Sequence, residues 1–216
     1  VFTVAALLFV VLVVNLTWLM AVRADWFRAR PENKRSIAKE MKIKRGDILG
    51  FDGSVMAGTV RRSGYYYRAY PGGTLAPQLI GYDSVRYGRS GIEARFNDEL
   101  TGQATGLGVQ NWVDKLLGRR PKGAHLKLTI VPDVQRVAQA ELDGKKGAVV
   151  ALDPTTGALI ASASAPSYDL SGLEDHWARL SEDPGAPLLN RPTQGLYVPG
   201  SSFKVVTASG GLDSGK

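Results

Sequence analysis

The chain opens on "VFTVAALLFVVLVVNLTWLMAV", 22 residues without a charge. No other feature limits the fold so strongly. Wound as a helix, such a run is about 33 Å long, enough to cross a hydrocarbon core of about 30 Å. Thr3, Asn15 and Thr17 are its clearly polar members, and Trp18 and Trp26 flank the exit as interfacial aromatics do. A cleaved signal peptide has a shorter apolar core, about 7–15 residues, and a small-residue cleavage site; "WLMAVRADW" is a poor one. The expectation is a retained transmembrane anchor over residues 1–22. The segment behind it, "RADWFRARPENKRSIAKEMKIKR", is rich in Arg and Lys. Taken alone, the positive-inside rule places that segment in the cytoplasm.

The whole chain has 216 residues, no cysteine and a net charge of +7. The absence of cysteine excludes a disulfide framework, a thiolate zinc site and a cysteine nucleophile. The basic balance is compatible with nucleic acid, an anionic membrane surface or an acidic polymer. No nucleic-acid recognition motif stands beside the charge. His125 and His176 are isolated and read as solvated residues, not as a metal site. A start at Val1 and a finish in "GLDSGK" read as a fragment open at both ends.

From about Arg45 the pattern changes to short elements. "RGDILGFDGSVMAGTV" reads as strands around an Asp52-Gly53 turn. "SGYYYRAYPGG" reads as an aromatic strand, with Tyr65, Tyr66 and Tyr67 alternating against a core or, alternatively, offering a sugar-stacking surface. "GIEARFNDELTG" reads as a helix ending at Gly102. "HLKLTIV" alternates as a strand with Leu126, Leu128 and Ile130 on one face, and "PDVQRVAQAEL" follows as a helix with Val134, Val137, Ala138 and Leu142 near one face. "KGAVVALDPTTGALIASASAP" is a hairpin turning at "DPTTG". Residues 167–197 read as loop. Arg45 and Glu93 are either a structural ion pair or two independent surface charges.

Near the C-terminus "LYVPGSSFKVV" carries the chemistry. Pro199 disfavours helix at Val198 and Gly200 supplies a turn, so a helix can start at about Ser201. Ser201 then sits at a helix N-terminus, where free N–H groups and the dipole favour an oxyanion. Lys204 lies one turn on, where a partly desolvated amine can take the serine proton. Ser202 has Val205 at the same offset and lacks a base. The bland alternative makes Ser201 an N-cap and Lys204 a surface lysine. Ordinary usage gives roughly one Ser-x-x-Lys by accident in a chain this long. This chain holds a second, Ser36-Ile37-Ala38-Lys39, in the basic segment, read as a solvated surface pair.

Several ordered segments resemble class B penicillin-binding proteins, most closely the actinobacterial penicillin-binding protein A type. "YVPGSSFKVVTA" resembles their nucleophile segment, and "LLNRPTQGLYVPGSSFK" the connection into it. "KGAVVALDPTTGALIASASAPSYD" resembles the hairpin that opens their transpeptidase domain. "KRGDILGFDGSVMA" and "YGRSGIEARFNDELTG" resemble segments of the small pedestal domain. The usual Asp-Arg pair of the first pedestal segment is here Gly50-Phe51-Asp52. The Ser-x-Asn and Lys-Thr-Gly motifs of the family lie downstream of the serine helix and do not occur in this chain.

The resemblance implies an α+β fold: transmembrane helix (1–22), stalk and β-rich pedestal of dimerisation type (23–123), then the first part of a penicillin-binding/β-lactamase-like transpeptidase domain (124–216). It implies a serine D,D-transpeptidase that cross-links peptidoglycan stem peptides from a lipid-linked precursor, with Ser201 as nucleophile and Lys204 as general base. No cofactor or metal is implied. β-Lactam antibiotics are expected ligands, and a polytopic glycosyltransferase of the shape, elongation, division and sporulation type an expected partner. The substrate lies outside the cell membrane, so the resemblance overrides the charge-based topology. A non-catalytic scaffold or β-lactam sensor and a D,D-carboxypeptidase remain alternatives. The fragment itself is expected to be inactive, with residues 45–123 folding as a pedestal and residues after about 124 unstable alone, the hairpin keeping an open edge.

Overall fold

Turn-forming residues cut the chain after the apolar opening into short elements, and a small set of buried polar groups gathers them. The computed structural model describes residues 2–21, 40–103 and 122–215. Most of the basic segment, residues 23–39 with Trp26, Ser36 and Lys39, lies outside the described residues. Helix α1 spans Phe2–Ala21. Every described side chain on it is exposed.

The pedestal is built on a sheet of four strands, β1 (Ile48–Leu49), β2 (Val55–Arg62), β3 (Tyr65–Ala69) and β6 (Leu126–Lys127), in the order β3-β2-β1-β6. The Asp-Gly turn forms as the sequence predicts: Gly53 takes φ +84° and Gly50 N–H donates to Ser54 O at 2.9 Å. Strand β6 pairs parallel with β1, and the pairing continues through Leu128 N–H to Leu49 O (2.8 Å) and Phe51 N–H to Ile130 O (2.8 Å). A short helix α2 (Pro77–Ile80) and a two-stranded ribbon, β4 (Asp83–Ser84) with β5 (Gly88–Arg89), follow. The predicted helix ending at Gly102 is broken at Phe96 into α3 (Gly91–Arg95) and α4 (Asn97–Thr101). Gly91 has φ +56°, and a Cβ there would lie 2.6 Å from Leu79 O. Only glycine lets α3 start against α2 in this way.

That start places Glu93, 0% exposed, between two guanidinium groups. Arg45 Nε donates to Glu93 Oε2 at 2.8 Å, Arg45 Nη2 to Glu93 O at 2.8 Å, and Arg68 Nε to Glu93 Oε1. The Arg45–Glu93 pair read from the sequence is therefore structural. Further charges extend the chain of contacts. Asp83 lies 3.7 Å from Arg45 Nε and accepts from Arg89 Nε at 2.5 Å, and Arg89 also holds Glu40. Tyr70 is half-buried beside this cluster; its hydroxyl accepts from Asp83 N–H at 2.8 Å. Burial and the Glu93 charge push that hydroxyl well above the ordinary tyrosine range.

Helix α5 (Pro132–Ala140) leads to the hairpin β7 (Gly147–Leu152) and β8 (Leu159–Ala165), which turns at the predicted place. Asp153 accepts from Thr155 N–H (2.9 Å) and the Thr156 hydroxyl (2.7 Å), which holds its carboxyl below the usual carboxylate range. The buried face of α5 differs from the sequence reading. Val134 and Val137 are 39% and 62% exposed, while Gln135 is 0% exposed beside Ala138 and Leu142. Gln135 replaces a neighbouring strand: Ser162 N–H donates to its Oε1 at 2.7 Å, and its Nε2 donates to Ser162 O at 2.9 Å. With Val131 N–H on Ile160 O (2.9 Å), it covers part of the β8 edge expected to stay open.

Residues 167–197 are less loop-like than the sequence suggested. Helix α6 (Leu173–Glu182) follows a 3-10 turn at Leu170–Gly172. Leu173, Trp177 and Leu180, at helical spacing, pack on the main core. That core joins pedestal residues Ile48, Met56, Ile80 and Leu100 to Ile130, Tyr168, Leu170 and Leu173. The pedestal and the segment behind it thus pack around a shared core. Trp177 stacks on Tyr87 at 4.1 Å and meets Tyr82 edge-on at 5.4 Å. The hairpin tyrosines are a further correction. Tyr65 and Tyr67 are 39% and 42% exposed, because β3 is an outer strand whose other face carries Arg68 to Glu93.

Removing one member of a buried ion cluster strands the others in a low-dielectric site, a cost of about 3–5 kcal/mol. Glu93→Ala should lower the stability read from urea denaturation by that amount. Asp133→Ala should change it by less than about 0.5 kcal/mol, because the Arg136–Asp133 pair is exposed.

Candidate active site

The serine arrives at the end of a segment held by its backbone. Beyond β8, Arg191, 2% exposed, donates from Nη1 to Ala186 O at 3.0 Å and from Nη2 to Gly185 O. Its N–H donates to Ser164 Oγ at 3.2 Å, and that hydroxyl donates to Leu189 O at 2.9 Å. Gln78 reaches across from the pedestal. Its Nε2 donates to Pro187 O (2.9 Å) and Pro166 O (3.2 Å), and its backbone carbonyl accepts from Asn190 Nδ2 at 3.3 Å. Gln78, Ser164 and Arg191 were not singled out from sequence. A polar residue buried in a short helix gives no periodic signal, and only a list of buried polar groups finds it.

Helix α7 (Arg191–Gln194) ends this braced region, and residues 196–200 are exposed. Gly200 takes φ +54° and opens a 3-10 turn, Gly200–Phe203, which runs directly into α8 (Lys204–Asp213). The predicted helix exists, but its first turn is tighter than an α-turn. Ser201 lies in that 3-10 turn and Lys204 is the first α-helical residue. No side-chain cap is made at either start, so Ser201 does not act as an N-cap. Ser202 is the serine that turns back, donating from Oγ to Pro199 O. Ser201 and Lys204 are exposed, and no hydrogen bond joins them in the described structure. All of α8 is exposed except half-buried Gly211, with Val205 at 71% and Leu212 at 79%.

The other candidates fall outside this place. His125 Nδ1 accepts from Asp47 N–H at 3.0 Å on the pedestal, and His176 is exposed on α6. Among the described residues no group of His, Cys, Asp or Glu is arranged to hold a metal ion.

Residues 45–126 match the family described as "Penicillin binding protein A dimerisation domain", and residues 147–216 match "Penicillin binding protein transpeptidase domain". The chain belongs to the penicillin-binding protein family. Among curated penicillin-binding relatives it is 37% identical over 223 residues to "Peptidoglycan D,D-transpeptidase PbpA" of Mycolicibacterium smegmatis, covering 96% of this chain and 45% of that protein. It is 33% identical over 190 residues to "Peptidoglycan D,D-transpeptidase MrdA" of Escherichia coli K12, covering 72% of this chain and 30% of that protein. The imipenem acyl-enzyme complex of penicillin-binding protein A from M. tuberculosis superposes with a TM-score of 0.72 at 33% identity, over 82% of this chain and 44% of that one. The chain thus spans less than half the length of these relatives. The two matched regions coincide with the pedestal sheet and with the hairpin-to-serine segment.

Arg191→Ala should cost about 3 kcal/mol, since two half-buried carbonyls lose a charged donor. Arg191→Lys should recover only part of that, because an ammonium cannot fork to both. Hydrogen exchange at Leu189 and Gly195, whose N–H groups bond within this segment, should rise in both variants.

Proposed function

We propose that this chain is the anchor, pedestal and nucleophile-bearing part of a class B serine D,D-transpeptidase that cross-links peptidoglycan stem peptides. The observation that carries this reading is the pair Ser201 and Lys204, three residues apart across a Gly200-initiated turn, inside the segment matched to the transpeptidase family. The acyl-enzyme complexes of the M. tuberculosis relative support a covalent mechanism.

In this mechanism Lys204 Nζ takes the proton from Ser201 Oγ as the oxygen attacks the penultimate D-Ala carbonyl of a stem peptide. The oxyanion forms beside the N–H groups of the first turn. Collapse breaks the peptide bond, and the terminal D-Ala leaves with a proton on its nitrogen. An amine of a second stem peptide then attacks the ester and restores the serine. A β-lactam follows the first half of this sequence and stays on Ser201. In the described chain the pair is exposed and unbonded, so the activity is proposed for the longer protein and not for this portion by itself.

We place α1 in the cell membrane with the pedestal outside. Counted on described residues, no helix is long and apolar enough to cross a membrane. The reading rests instead on the complete sequence of Phe2–Ala21, 20 residues without a charge, about 30 Å of helix. A polytopic glycosyltransferase of the shape, elongation, division and sporulation type would meet α1 and the pedestal.

In the full-length protein a fluorescent penicillin should attach covalently to Ser201. Ser201→Ala should abolish the label, and Ser36→Ala should leave it intact; a label that survives Ser201→Ala removes the nucleophile assignment. A reporter fused after Gln103 should be active only outside the cytoplasm. Cytoplasmic activity would restore the topology that the basic segment alone suggests.

A further inference from the structure

The β2–β3 hairpin presents a face that the core does not use. Directly opposed residues of an antiparallel pair share a face, and the register opposes Val60 to Tyr67 and Arg62 to Tyr65. Val60, Tyr65 and Tyr67 are 38%, 39% and 42% exposed, and Arg62 is exposed beside them. The opposite face turns Thr59 and Arg68 inward, with Arg68 on Glu93. So the outward set is one apolar side chain, two phenols and a guanidinium.

The hairpin's own charge has one sign, although exposed Glu174 and Asp175 line the same concavity as Val60, Arg62 and Tyr67. No acidic residue occurs between Ser54 and Tyr82, while Lys42, Lys44, Arg61 and Arg62 are all exposed. Of the carboxylates nearest along the chain, Asp52 holds the Ser54 hydroxyl and Asp83 is engaged by Arg89. The hairpin also lies where the anchor's connection enters the pedestal: Tyr66 N–H donates to Met41 O at 2.7 Å. Nineteen residues, 22–40, separate that point from the end of α1. At full extension they reach about 60 Å, and any shorter path brings the hairpin nearer the surface in which α1 ends.

We propose that the outward face of the β2–β3 hairpin docks on the anionic lipid surface beside the anchor. Tyr65 and Tyr67 sit at headgroup depth, Val60 meets the acyl boundary, and Arg62 pairs with lipid phosphate. Docking fixes the height and tilt of the pedestal over the bilayer. A sugar polymer could also stack on two tyrosines, but the hairpin's own cations and the adjoining tether favour lipid. This surface rests on the membrane reading of α1, and the test separates the two.

The chain has no cysteine, so Ser63→Cys at the hairpin tip gives a single labelling site. The full chain is reconstituted in vesicles of phosphatidylcholine with or without phosphatidylglycerol, carrying a headgroup-linked quencher. The Ser63 probe should be quenched in the phosphatidylglycerol vesicles, and much less in phosphatidylcholine alone or at 1 M salt. A probe at Thr155→Cys, in the β7–β8 turn, should be unaffected by lipid charge. Arg62→Ser should lower the docked-to-undocked ratio about fivefold, and Tyr65→Ser with Tyr67→Ser should abolish docking. Circular dichroism checks that these surface variants remain folded. No quenching, quenching independent of lipid charge, or protection of the probe by soluble glycan strands instead of vesicles overturns the proposal. Alkali-resistant association reports α1 separately. Insertion without Ser63 quenching removes the hairpin surface alone, and quenching without insertion removes the anchor alone.

Discussion

Glu93 is the point on which the pedestal depends. It is a carboxylate with no exposure, and it is tolerable there only because Arg45 and Arg68 both reach it. Arg45 comes from the segment that enters the pedestal, Arg68 from β3 and Glu93 from α3. Elements up to 48 residues apart are therefore joined in one charge cluster. Arg68 Nη1 also donates to Gly46 O at 2.6 Å, and Arg45 Nη1 to Asn97 Oδ1 at 2.7 Å, so the guanidinium groups position backbone as well as charge. Losing one partner of an exposed pair such as Arg136–Asp133 costs far less than breaking the buried cluster, because water screens the charge left behind.

A second set of polar contacts binds the hairpin-to-serine segment onto the pedestal. Gln78 ties α2 to Pro166, Pro187 and Asn190. The Tyr168 hydroxyl donates to Pro77 O at 3.3 Å, and Gln139 Nε2 donates to Thr74 O at 2.7 Å. Tyr82, Tyr87 and Trp177 close the other side with ring contacts. These contacts surround one hydrophobic cluster, so the pedestal and the base of the segment that carries Ser201 share a single core. Bracing stops near Gln194. Beyond it the chain makes its own local bonds and little else.

That local character explains why the candidate nucleophile could be read from sequence. Ser201 and Lys204 are placed by a proline, a glycine and three residues of helical geometry, all contiguous. Their environment is another matter: the desolvation that would turn Lys204 into a base requires neighbours from distant segments, and in the described chain both side chains face solvent. The Asp52-Gly53 and "DPTTG" turns were legible for the same local reason. The face of α5 was not. Apolar periodicity pointed to Val134 and Val137, whereas the strand edge of β8 selected Gln135, whose amide matches an open N–H and C=O.

Sequence alone determined the apolar opening, the order of segments, the turn positions and the Ser-x-x-Lys pair, since each depends on residues within a few places of one another. Tertiary structure decided that Glu93 is buried between two arginines, that α6 joins the pedestal core, and that Tyr65 and Tyr67 face outward. It also decided that Arg191 and Gln78 brace the approach to Ser201. These depend on partners 5 to 112 residues away, and a polar side chain carries no mark of whether it will meet water or a buried partner until the chain has folded around it.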